Sequence, residues 1–219
     1  MNIRLLKKMI PLIMLMPGVV LAQSTDEIVS RLQKDWAIAN YELTGDAQIK
    51  AYEALLEDAD AAVANNSGSA GILVWNGIIK SAFAGVKGGL GALSYAKAAR
   101  KSLEASLEID DHALNGSAYA TLGTLYSKVP GWPVGFGNDK KAVQFLQKAL
   151  EINPEGIDSN YFYADYLREN KDYESAEKYL LKAQEAAPRA DRPVADTGRR
   201  QEISAALAEV RGKLKRSSS

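Results

Sequence analysis

The chain has 219 residues, with 27 basic and 27 acidic side chains, one histidine and no cysteine. Without cysteine there can be no disulfide, no thiolate chemistry and no lipid anchor on a cysteine. No basic face of the kind a nucleic acid requires is evident in the sequence, and the length suits one domain or one solenoid.

The N-terminus carries Arg4, Lys7 and Lys8, then an apolar run from Met9 to Val20 that ends in Val20-Leu21-Ala22. A basic start, a short apolar core and small residues before a cut predict a secretory signal peptide over 1–22, cleaved after Ala22, and a periplasmic destination. The run falls short of the roughly 20 apolar residues of a membrane span, and an uncleaved anchor is the alternative. Loss of this segment would leave 24 basic against 27 acidic residues.

Ser24-Thr25-Asp26-Glu27 is a capping box. Ile28, Leu32, Trp36, Ala39 and Leu43 then form an amphipathic stripe that Gly45 should end, and Asp46 can cap a second helix with the stripe Ile49, Tyr52, Leu56, Ala59 and Val63. These make a degenerate repeat over 24–66, closed by the loop 65–69. Ala70–Ala84 is apolar nearly all round, which predicts a central buried helix. Gly85–Gly91 reads as a flexible hairpin connection; it contains a lysine but lacks the ending of a phosphate loop. A helix from about Ala92 to Ile109 completes a second degenerate repeat, 68–111. Its ending SLEIDD echoes ALEINP further on, so Ser106 stands where Ala149 stands later.

Two clearer repeats follow, over 115–154 and 157–188. Ala142, Leu146, Ala149 and Pro154 recur 34 residues later as Ala176, Leu180, Ala183 and Pro188. Small residues at i and i+7 let a neighbouring helix come close, leucine fills the groove between them, and proline stops the helix. Asp158 and Asp172 are candidate caps. A period of 34 predicts helical hairpins, and one hairpin cannot bury its apolar stripe alone, so several must stack. Ala142 follows Tyr126 by 16 positions where the next repeat has nine, from Leu167 to Ala176. The excess falls in Val129–Gly137, VPGWPVGFG, whose Trp132 and Phe136 should either fold back onto the stack or line a binding site. RADRPVAD then reads as a linker, and 197–215 as a capping helix with Ile203, Leu207, Val210 and Leu214 in its stripe.

The 34-residue period, with Leu122-Gly123 and Tyr126 and their counterparts Tyr163-Ala164 and Leu167, resembles the tetratricopeptide repeat family. That resemblance implies an all-α, right-handed solenoid of helical hairpins, here about nine helices. In the family the first helix of each hairpin lines a concave groove, which implies Ser117, Ala120, Thr124 and Lys128, then Asp158, Tyr161, Asp165, Arg168 and Glu169, as partner-binding positions. The stretch VPGWPVGFGNDKKAVQFLQKAL, with Gly135, Gly137, Asn138, Lys141, Ala142, Ala149 and Leu150, resembles the T-component family of tripartite ATP-independent periplasmic (TRAP) transporters. The implied role is association with a periplasmic solute-binding protein, with an apolar ligand handled through a central pore.

His112 lacks the partners of a catalytic triad or zinc site. Asp58/Asp60 and Asp110/Asp111 lack the spacing of a calcium loop. No enzyme activity, cofactor or metal is expected. The expected function is that of a periplasmic adaptor for a protein partner; the alternative is a carrier for a small apolar ligand, held between the Trp132 connector and the helix Ile72–Phe83.

Overall fold

The computed structural model describes residues 23–217, the side chains of Leu90 and Ser217 aside, so the expected signal peptide lies outside the described residues. Nine α-helices and no strand occur among them: α1 Thr25–Tyr41, α2 Gly45–Asn65, α3 Ala70–Lys87, α4 Gly89–Ile109, α5 Ala113–Lys128, α6 Asp139–Ile152, α7 Ile157–Glu169, α8 Tyr173–Glu185 and α9 Pro193–Ser217.

The capping box forms: Glu27 N–H donates to Ser24 Oγ at 3.2 Å, and Ser24 N–H donates to Glu27 Oε2 at 2.9 Å. α1 stops at Tyr41, short of Leu43, and Gly45 opens α2 in a left-handed conformation (φ +58°) instead of closing α1. Thr44, not Asp46, is the N-cap residue of α2. Asn138 and Asp172 cap α6 and α8, accepting from Lys141 N at 2.9 Å and Ser175 N at 3.2 Å. The glycine run is no loose connection. α3 continues to Lys87 and α4 begins at Gly89, so the turn consists of Gly88 and Gly89 at φ +59° and +60°, a conformation that side chains with a Cβ resist. α9 likewise starts at Pro193, inside the expected linker, where a proline costs no helical hydrogen bond.

The repeat positions pack as their sizes dictate. Ala142, Ala149, Ala176, Ala183 and Leu180 are fully buried, Leu146 nearly so, and Ser106 is buried as its alignment with Ala149 implies. Within the hairpins, glycine sets the approach of the helices: a Cβ on Gly123 would lie 2.5 Å from Leu146 Cγ and 3.1 Å from the Ala142 carbonyl, and one on Gly77 2.5 Å from Leu103 Cγ.

α1 pairs with α2, α3 with α4, α5 with α6 and α7 with α8, as hairpins. The odd-numbered helices also touch one another in sequence, α1 to α3, α3 to α5, α5 to α7 and α7 to α9, and α9 returns to touch α1. The solenoid therefore closes on itself. Five helices form an inner ring, and α2, α4, α6 and α8 lie outside it. Closure brings Ala195 and Val194 of α9 into the core built by α1, α2 and α3.

Gly123→Val should lower the unfolding free energy by about 1–3 kcal/mol, because the added carbons meet Leu146 and the α6 backbone. Gly85→Ala, with nothing within 4 Å of its new Cβ, should instead gain about 0.5–1 kcal/mol from helix propensity. Urea unfolding followed by circular dichroism measures both.

Candidate functional site: two cavities inside the ring

Two cavities open into the ring, both lined by residues of α1, α3, α5 and α7. The first, of about 540 Å³, lies toward the C-terminal ends of α3 and α5. Ile78, Ala82 and Gly85 of α3, Leu93 and Ala96 of α4, Leu125 of α5 and Val129, Pro130 and Val134 of the connector give it an apolar wall; Asn40, Tyr41, Arg199 and Glu202 give it a polar side. The second, of about 440 Å³, is lined by Gln33, Trp75, Ser117, Ala120, Asp158, Arg189 and Arg192 among others. Its floor includes Leu114, Asn115 and Gly116, three successive residues in the left-handed region (φ 49°, 56° and 75°), so the regular part of α5 begins only at Ser117.

Two contacts form the partition. Trp36 lines the first cavity and Trp75 the second, and their rings meet edge-on with centroids 5.6 Å apart. Arg199 lines the first and Asp158 the second, joined by Nε to Oδ1 at 2.9 Å. Asp158 sits in the first turn of α7, where it serves as an ion-pair hub and not as the expected cap. Arg189 reaches its other oxygen at 2.7 Å and Arg192 lies at 4.0 Å. Arg199 also holds Glu202 at 2.6 Å and stacks over Tyr161 and Phe162 at 4.3 and 4.6 Å. Tyr41 O–H reaches Glu202 at 3.4 Å, and a Cβ on Gly198 would collide with the Tyr41 ring, so glycine is what allows α9 to lie against α1.

Burial opposes the charge on Asp158, but Arg199, Arg189 and Arg192 outweigh it and hold the carboxyl far below the usual carboxylate range. Burial raises Glu202 above its ordinary value, Arg199 only partly offsetting it. Burial likewise pushes Tyr161 up to about 12.

The structure divides the sequence-predicted site residues among different places. Thr124 and Lys128 line the first cavity, and Ser117, Ala120 and Asp158 the second. Tyr161 lies under Arg199. Lys128 pairs with Asp165 at 2.8 Å and with Glu169, while Arg168 pairs with Asp165 at 2.6 Å and with Glu209 of α9. These groups neutralise one another instead of presenting free charge. The two connector aromatics part company. Phe136 folds back between Tyr126, 5.3 Å away edge-on, and the Arg100 guanidinium at 4.5 Å, whereas Trp132 is 90 % exposed and touches neither cavity. Val134 and Pro130 take the cavity wall instead. Sequence reasoning missed Asn40, Tyr41, Arg199 and Glu202, which meet only because the ring closes; the run of arginines 189, 192 and 199 beside the acidic start of α7 is the one local trace of it.

Asp110, Asp111 and His112 are the one group of potential metal ligands gathered among the described residues. They are consecutive and largely exposed: Asp110 accepts from His112 N–H at 2.9 Å and Asp111 lies 2.6 Å from His112 Nδ1, so turn geometry accounts for their proximity.

A tetratricopeptide repeat family model matches residues 135–155 and 157–189. In that stretch the chain is similar to tetratricopeptide repeats. The matched segments contain α6, α7 and α8, and the same hairpin packing extends through the helices on either side. No curated protein matches the chain. Among the described residues no helix is long and apolar enough to cross a membrane.

Asp158→Asn should cost about 3 kcal/mol near neutral pH, the lower end for a broken buried pair because the carboxylate is 30 % exposed. The sign with pH follows from the shift. The folded-state value lies below the unfolded one, so the stabilisation is present above about pH 4 and is lost as pH falls below it. Urea midpoints measured from pH 7 to pH 3 should therefore converge for the two proteins toward the acid end.

Proposed function

We propose that the protein is a binding protein of the tetratricopeptide kind whose first cavity takes a small, mainly apolar ligand, and that it works in the periplasm beside a TRAP-type transporter and its solute-binding protein. The observation that carries this is the closed ring. The concave face that tetratricopeptide repeats generally offer to protein partners is here turned inward, around a cavity of a size ordinary for small-molecule sites. An apolar wall facing Asn40, Tyr41 and Glu202 suits a molecule with a hydrocarbon body and a hydrogen-bonding head, since the charge of Arg199 is already met by Asp158 and Glu202. The N-terminal pattern supports the periplasmic part, and the connector's resemblance to T-components supports the transporter part.

The adaptor reading, which the sequence put first, stands second here. Tetratricopeptide repeats generally mediate protein–protein contacts, and the match covers α6 and the α7–α8 hairpin, which carries Asp165, Arg168 and Glu169. In this reading a partner binds the outside of the ring.

Ala82→Phe places a ring in the first cavity. The apolar fluorophore N-phenylnaphthylamine should bind wild type saturably and the variant about tenfold more weakly, a change of about 1.4 kcal/mol, with the urea midpoint little altered. Equal binding to both proteins, or none to wild type, would defeat the carrier reading.

A further inference from the structure

The connector leaves two large apolar side chains in solvent beside each other: Trp132 at 90 % and Val134 at 64 % exposure. The other exposed large hydrophobics among the described residues, Ile38 and Ile109, lie on separate helices. The loop is firmly built. Gly135 N–H donates to Gly131 O at 3.0 Å, Gly137 N–H to Pro130 O at 3.0 Å and Asn138 N–H to Tyr126 O at 2.8 Å, and Phe136 is clamped between Tyr126 and Arg100. Trp132 is therefore held outward by an ordered scaffold that had room to bury Phe136.

The charge around it is mainly positive. The chain contains no acidic residue from Ala61 to Leu103 or from His112 to Asn138. Leu93, Lys97 and Arg100 share the face of α4 that meets the connector, through the contact of Gly135 with Leu93 and of Phe136 with Arg100. Lys87 ends α3 at the adjoining turn, and Lys140 and Lys141 open α6 where the connector ends. Lys87, Lys97, Lys140 and Lys141 have no carboxylate within ion-pair distance among the described residues; Arg100 reaches Glu104 at 3.5 Å, Lys128 is paired with Asp165 and Glu169, and Asp139 stands beside Lys140.

We infer that this end of the molecule docks on an anionic lipid surface, with Trp132 and Val134 entering the headgroup layer and Lys87, Lys97, Lys140 and Lys141 facing lipid phosphates. Tryptophan favours that layer because its ring is apolar and its N–H polar, and lysines beside an anionic surface are attracted to it. A protein interface is the weaker fit, because lysine is depleted from interface cores. Connector residues Pro130 and Val134 also line the first cavity, so docking would bring that cavity to the bilayer. The inference stands apart from the ligand proposal, since it needs no occupant in the cavity.

The test uses the full chain and a readout confined to Trp132, so that no other segment can supply the signal. Trp36 and Trp75 are buried, at 7 % and 2 % exposure, which leaves Trp132 as the tryptophan open to quenching. Vesicles of phosphatidylcholine with brominated chains, with and without phosphatidylglycerol, are titrated at low and at high salt. The expected result is blue-shifted, quenched emission with the anionic vesicles, weakened by salt and absent in Trp132→Phe. Trp132→Ser with Val134→Ser, or Lys97→Glu with Lys140→Glu and Lys141→Glu, should reduce vesicle binding about tenfold or more with the circular dichroism unchanged. Unquenched Trp132 with anionic vesicles overturns the inference even if the chain sediments with them. So does quenching that is equal on neutral vesicles and indifferent to salt, or protection of Trp132 by an added protein alone.

Discussion

Contact between the last helix and the first is the constraint on which the rest of this structure depends. Hairpin stacking alone yields an open spiral with a groove. Here α9 lies against α1 because Gly198 presents no side chain to Tyr41, and because Arg199 reaches across to Asp158 of α7 while holding Glu202 beside the Tyr41 hydroxyl. One arginine thereby ties three of the five inner helices together. Breaking such a buried pair is worth several kcal/mol, a sizeable part of what holds a domain folded. Without this contact Asn40 and Tyr41 would have no Arg199 or Glu202 opposite them, and the first cavity would lose its polar side.

The helices were readable because their determinants are local. The Ser24–Glu27 box, the alanine and leucine spacing at 142–149 and 176–183, and the all-apolar run at 70–84 each act over one or two turns, and each appears where the sequence placed it. Closure was not readable, because it depends on small rotations added over four hairpins and no single residue encodes it. The left-handed turn at Leu114-Asn115-Gly116 escaped for a different reason. Leu114 disfavours that conformation, which asparagine and glycine adopt more readily, and the turn is held by packing, with Ile152 against Gly116. The glycines at 88 and 89 misled in the opposite direction: glycine permits positive φ, and two such residues suffice for a sharp turn without any flexible stretch.

The connector shows how composition can identify a special segment without assigning its parts. Two aromatics, two prolines and three glycines between paired helices do mark an unusual loop, but the residue that packs and the residue that projects are set by tertiary neighbours. Phe136 finds the Tyr126 ring and a cation above it; Trp132, four residues earlier, finds nothing. The concave-face positions divided in the same way. Thr124 and Lys128, one turn apart on α5, reach the first cavity, while Asp165, Arg168 and Glu169 are drawn into pairs with Lys128 and Glu209.

The two cavities share α1, α3, α5 and α7, yet they do not act as one passage. A molecule moving from the first to the second would have to part the Trp36–Trp75 contact, worth about 0.5–1.5 kcal/mol beyond its burial, and the Asp158–Arg199 pair, worth up to about 3 kcal/mol. Toward the connector it meets Gly85, Gly89, Pro130 and Val134, none of which offers a charge or a side-chain hydrogen bond to be broken. The path of least cost into the apolar cavity therefore runs through the end of the ring that carries Trp132 and the lysines that meet no carboxylate among the described residues. Entry by that path would use the face of the molecule that carries Trp132, and the ion-pair hub would close the other way.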